Sequence, residues 1–120
     1  MASYSKQQLS GGSQGAPILV AATASTGTTI HTTGTSSSAI DEVWLYAYNS
    51  SSSAVLLTIQ YGGTTSPLND IKITVPSQSG LTLIVPGLIL TGNGTAGGSV
   101  YAYAGTTNVV TISGYVNRIA

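Results

Sequence analysis

The chain has 120 residues, with no cysteine, no phenylalanine, one histidine, one tryptophan and one methionine. Without cysteine it can form no disulfide, zinc thiolate or redox thiol. Charge is also scarce. Three Lys and Arg balance three Asp and Glu, so only 5% of residues are charged, against about 25% in an ordinary globular domain. Three cations cannot displace the counterions of a nucleic acid or build a polybasic membrane anchor. Asp41, Glu42 and Asp70 are too few and too scattered for a calcium cage. One histidine cannot complete a zinc site. The sequence therefore points to no nucleic-acid partner, no membrane partner, no metal and no cofactor. Long apolar runs are missing as well. The most apolar window, 81–90, is broken by Thr82, Pro86 and Gly87 and is too short to span a bilayer. The first nine residues lack the apolar stretch of a secretory leader, so the expectation is a chain made without one.

Small polar residues fill the space that charge leaves. There are 17 Ser, 17 Thr and 15 Gly. Residues 1–16 are polar and Gly/Ser-rich with no apolar period, which predicts a flexible N-terminal arm. Such an arm is either an idle terminus or a segment that orders on a neighbouring subunit. From Pro17 onward, short runs rich in Val, Ile, Thr and Tyr alternate with Gly, Ser, Asn and Pro. The expected strands are 18–24, 28–33, 42–49, 54–61, 70–75, 81–85, 99–104 and 109–116. No window shows a sustained helical period. The prediction is an all-β fold: a single jelly-roll-like β-sandwich over residues 17–120, with about eight short antiparallel strands.

Two segments echo each other. Tyr46-Ala-Tyr48 precedes a short polar loop and a strand with Thr58-Ile59; Tyr101-Ala-Tyr103 precedes another and Thr111-Ile112. Read as hairpins with four-residue loops, they place Trp44, Tyr46 and Tyr48 opposite Ile59, Leu57 and Val55. That register makes the aromatic side the core face. The outer face then carries Val43, Leu45, Ala47, Leu56 and Thr58 in the first hairpin, and Val100, Ala102 and Val109 in the second. None of these is charged, and an apolar outer face marks a contact surface. These eight residues are the expected subunit interface. A one-residue bulge would exchange the two faces and expose the aromatics. Zero net charge gives little repulsion between copies, which suits a chain that works in an assembly, as a homo-oligomer or with a partner.

The catalytic motifs fail on inspection. Gly92-Asn-Gly94-Thr-Ala-Gly97 matches a dinucleotide fingerprint, but a Tyr-rich strand follows where a helix is required. His31 is the one candidate base, with no nucleophile elbow to serve. A hydrogen-bonded strand histidine is the expectation, and no catalytic residue is assigned. Asp41, Glu42 and Asp70 sit at strand ends, where they solvate turns or pair with Lys72 or Arg118 across a subunit boundary. Trp44 and the seven Tyr could stack on a sugar, although the hairpin register buries most of them. Asn49-Ser-Ser and Asn93-Gly-Thr fit the glycosylation sequon.

Four phrases carry a resemblance. They are Asp41-Glu-Val-Trp-Leu-Tyr-Ala-Tyr-Asn, Leu57-Thr-Ile-Gln-Tyr-Gly-Gly, Leu81-Thr-Leu-Ile-Val-Pro-Gly and Ile112-Ser-Gly-Tyr-Val-Asn-Arg-Ile. Over residues 18–119 the chain resembles small β-rich virion proteins of tailed bacteriophages. The resemblance implies a non-enzymatic protein, made in the host cytoplasm, that decorates or cements the capsid surface by binding the major capsid protein and itself. It transfers no active-site residue. A neck or tail position is the near alternative, and a carbohydrate-binding module for host recognition the distant one.

Overall fold

A computed structural model describes residues 3–120. Nine strands form two antiparallel sheets, and no helix is present among the described residues. They are β1 (Tyr4–Gln8), β2 (Ile18–Leu19), β3 (Thr28–Thr32), β4 (Ile40–Asn49), β5 (Val55–Tyr61), β6 (Asp70–Val75), β7 (Thr82–Leu90), β8 (Ser99–Ala104) and β9 (Val110–Ile119). The larger sheet runs β1-β9-β4-β7, with β2 also on β9; the smaller runs β3-β8-β5-β6. β1 takes the end of β9 at residues 115–119, and β2 takes residues 111–112 further along the same edge. From β2 onward each connection crosses between the sheets, except β5 to β6. This is the strand order of a jelly roll, two Greek keys wrapped into one sandwich.

The crossings overturn the hairpin register. β4 pairs with β7 and β9, not with β5, and β8 pairs with β3 and β5, not with β9. The repeated Tyr-Ala-Tyr units lie on inner strands of the two sheets, and each leads into a loop that changes sheet. In both units Ala47 and Ala102 point inward and are fully buried, while the tyrosines point out and are half-buried. For β4 and β8 this is the reverse of the expected faces, whereas Val55, Leu57 and Ile59 on β5 and Val110 and Ile112 on β9 point inward as expected. The physical reason is the thickness of the sandwich. Stacked sheets sit about 10 Å apart, and aliphatic side chains fill that gap here. Every buried hydrophobic residue described is Ala, Val, Leu or Ile. Val43, Leu45 and Ala47 from β4 meet Leu57, Ile59, Val100 and Ala102 from the facing sheet in this core.

Residues 3–16 are not the free arm that composition suggested; Met1 and Ala2 lie outside the described residues. β1 is exposed along its whole length and is held by its ladder to β9, so it shows no apolar period. Beyond it Leu9 enters the core. The Gly11 N–H donates to the Ile30 carbonyl at 2.9 Å.

β7 runs on through Pro86 and Gly87, where a break at residue 85 was expected. It is an edge strand, so the missing proline N–H costs no ladder bond. Two register shifts against β4 flank Trp44 and Leu45. Gly87 has φ +82°, and a Cβ there would lie 2.8 Å from Trp44 Cζ2. At Gly114 a Cβ would collide with the Trp44 carbonyl oxygen. Gly87 lets the edge strand close on the indole, and Gly114 lets β9 approach the β4 backbone at the same residue.

Leu45 and Leu56 separate the observed faces from the exchanged ones. Leu45 is fully buried and Leu56 is 48% exposed. Leu45→Ala is expected to cost about 2–5 kcal/mol in urea unfolding. Leu56→Ala should stay within about 1 kcal/mol, because surface substitutions cost little. Equal losses at the two positions would contradict this packing.

Candidate functional site

Three groupings of side chains stand out. The first is buried. Asp41 on β4 lies beside Arg118 on β9 as a direct cross-strand pair. Arg118 Nε donates to Asp41 Oδ1 at 2.8 Å, and Nη2 donates to Oδ2 at 3.1 Å. From the opposite sheet, His31 on β3 reaches Asp41 Oδ2 through Nε2 at 2.7 Å. His31 Nδ1 accepts the N–H of Ser10 at 3.0 Å, so the ring proton sits on Nε2 and is donated to Asp41. Both ring nitrogens are engaged and the side chain is buried. Neither is placed to take a proton from a substrate. Burial alone would raise the Asp41 carboxyl. The hydrogen bonds from Arg118 and His31, and the attraction of the Arg118 charge, outweigh it and hold the group below its ordinary value. Arg118 thus finds its partner within the chain, where an intersubunit pair had been considered.

Tyr61 on β5 adds a second tie between the sheets. Its hydroxyl donates to the Leu88 carbonyl on β7 at 2.8 Å. Burial, with Asp41 nearby, raises its phenol above the ordinary value. Asn49 closes the other end of β4. Its amide donates to the Ser53 and Val75 carbonyls and accepts from Ser51, so this sequon asparagine is fully buried and engaged. Asn93 is exposed and caps its own turn by accepting from the N–H groups of Thr95 and Ala96.

The second grouping is the outer face of the larger sheet. Trp44 on β4 stacks on Tyr115 on β9, with ring centroids 6.3 Å apart and planes 16° from parallel. Lys6 Nζ on β1 lies 4.6 Å from the centre of the Tyr115 ring. Gly87 on β7 closes against the indole. Ammonium, phenol, indole and glycine thus follow one another across four strands. Trp44 Nε1 donates to Glu42 Oε1 at 2.8 Å, and Asn117 Nδ2 donates to the same oxygen at 3.1 Å. These two bonds hold the Glu42 carboxyl below its ordinary value, against a smaller opposing effect of burial. Beside them lies a trough of about 270 Å³ lined by Tyr4, Ser5, Lys6, Glu42, Asn117 and Ile119.

The third grouping is β7 itself. Leu83, Leu88 and Ile89 on this free sheet edge, and Leu81 just before it, are each 41–62% exposed. Sequence reasoning missed this edge as a surface, although 81–90 was the most apolar window in the chain.

The eight expected interface residues fall out as follows. Val43, Leu45, Ala47, Val100 and Ala102 are buried by the chain's own core. Thr58 lies between Lys72 and Tyr103 on the outward side of β5 and is nonetheless covered. The first five are buried because β4 and β8 turn their small and aliphatic side chains inward, and Thr58 is covered on the outer side of β5. Leu56 remains exposed and Val109 half-buried. Among the described residues, no group of three metal-ligating side chains occurs. No protein-family model, curated protein or solved structure matches the chain.

The Asp41 cluster has a defined pH signature. A carboxyl lowered in the folded state adds stability that is present above its unfolded value, ordinarily 3.8. That stability is lost as pH falls through the lower native value. The urea midpoint should therefore fall below about pH 4. Asp41→Asn should lose about 3 kcal/mol at neutral pH, and its midpoint should respond less to acid. An unchanged acid response in that variant would assign the effect elsewhere.

Proposed function

We propose that the chain is a non-enzymatic virion structural protein: a decoration or cement protein on the capsid surface of a tailed bacteriophage. In this reading it seats on the major capsid protein, and on copies of itself, through the β7 edge. The observation that carries the reading is the exposure of Leu81, Leu83, Leu88 and Ile89, four large aliphatics in or just before one edge strand of a nearly chargeless chain. Soluble domains blunt a free apolar edge with Lys, Glu or a covering loop. This edge has Pro86 and a bulge, which limit open-ended strand pairing, but no charge between Thr82 and Leu90. A surface of that kind is stable when something covers it.

The four phrases that resemble phage virion proteins support the setting, and the edge supports the mode of contact. Small domains repeated over a shell need only weak individual contacts, because many sites act together. A neck or tail position would use the same edge on a different ring of subunits.

The test is co-sedimentation of the purified chain with head shells of the phage that encodes it, for the wild type and for Leu83→Lys and Ile89→Lys. Burying one such side chain contributes about 1.5–3 kcal/mol, so each variant should bind at least about tenfold more weakly. Its circular dichroism should be unchanged. Variants that co-sediment as well as the wild type would remove β7 from the contact. A wild-type chain that never co-sediments would remove the capsid role.

A further inference from the structure

The trough beside the aromatic row has the chemistry of a small polar-ligand site, and we propose that it binds one pyranose ring of a neutral saccharide. Its floor is Asn117 and Ile119 on β9. Tyr4, Ser5 and Lys6 on β1 form one wall and Glu42 on β4 the other. Its volume of about 270 Å³ lies just under the range of about 300–1,000 Å³ typical for drug-sized ligands, which suits a single sugar ring.

The polar groups are oriented before any ligand arrives. Glu42 Oε1 is occupied by the Trp44 indole N–H and the Asn117 amide. This fixes the carboxylate and leaves Oε2 free to accept from ligand hydroxyls. The Asn117 amide oxygen has no partner within the described chain and is a second acceptor. Lys6 lies over Tyr115 with no carboxylate within ion-pair distance among the described residues, and so supplies a donor. Two acceptors and a donor around the Ile119 side chain match the vicinal hydroxyls and C–H face of a pyranose.

Charge and stacking narrow the ligand further. Lys6 and Glu42 offset each other across the trough, so a phosphate or a polycation gains no net attraction. Trp44 and Tyr115 cannot serve as the stacking platform, because Gly87, each other and Lys6 cover their ring faces. Tyr4, 75% exposed at the rim, is the ring available to a sugar. Such a site acts whether or not β7 is seated on a shell.

The experiment is amide NMR on the whole chain, titrated with methyl glucoside, methyl galactoside, methyl mannoside and N-acetylglucosamine to tens of millimolar. At least one should give saturable shifts at Lys6, Glu42 and Asn117. Tyr4→Ala lies on an exposed strand and should fold normally while weakening binding severalfold; Asn117→Ala should do the same. Three results would overturn the proposal. They are no saturable shift with any of the four, shifts that survive both substitutions unchanged, and equal shifts with free alanine, which would mark a zwitterion site.

Discussion

The Asp41 carboxylate is the tie on which the sandwich depends. A jelly roll whose sheets meet only through aliphatic side chains has nothing directional to fix how the sheets lie on each other. Asp41 supplies direction. It takes a two-toothed guanidinium from its own sheet and an imidazole N–H from the facing one. The imidazole in turn receives the Ser10 N–H and so fastens the chain between β1 and β2. Three other segments, carrying Ser10, His31 and Arg118, are thus tied directly or through the imidazole to one buried side chain. With six charged residues in all, committing two of them here shows where a disulfide-free chain concentrates its strongest interactions. Replacing the cluster with apolar groups could match its energy, but would not reproduce its geometry.

The outer face of the larger sheet solves a related problem. Central strands bearing Trp and Tyr toward solvent would present a sticky plane. The rings instead stack across the strands, between a glycine on β7 and an ammonium on β1. Their faces are spent on one another and their edges meet water. The same arrangement aligns Glu42 and Asn117 beside the trough. β7 lies beyond the stack at the edge of the sheet and keeps its aliphatics uncovered.

Much of the architecture was legible from residue order. Turn residues and β-branched runs placed β6 and β8 at their observed bounds, and the jelly-roll form holds, with nine strands where about eight were expected. The faces of β4 and β8 were not legible. Period two in β4 says that Trp44, Tyr46 and Tyr48 share a side; it does not say which side is inward. Assuming a local hairpin decided that wrongly, because five-residue loops can equally cross to the other sheet. β1 was invisible for a different reason. An edge strand exposed on both sides is held by its backbone, and backbone pairing leaves no composition signal. The Asp41 cluster was hidden by distance. Ser10, His31 and Arg118 meet only once the sandwich has closed, although the scarcity of charge did mark Asp41 and Arg118 as residues to watch.

Trp44 has one more consequence. It is the chain's single tryptophan, and it sits half-buried between β7 and the trough, bonded to Glu42 and stacked on Tyr115. Light absorbed by indole alone therefore reports from one place, the outer face of the larger sheet. Water leaving that face would shift the emission, and turning of the indole against Tyr115 would alter its near-ultraviolet dichroism. The molecule carries an unlabelled optical probe at the surface where its contacts with other molecules are proposed.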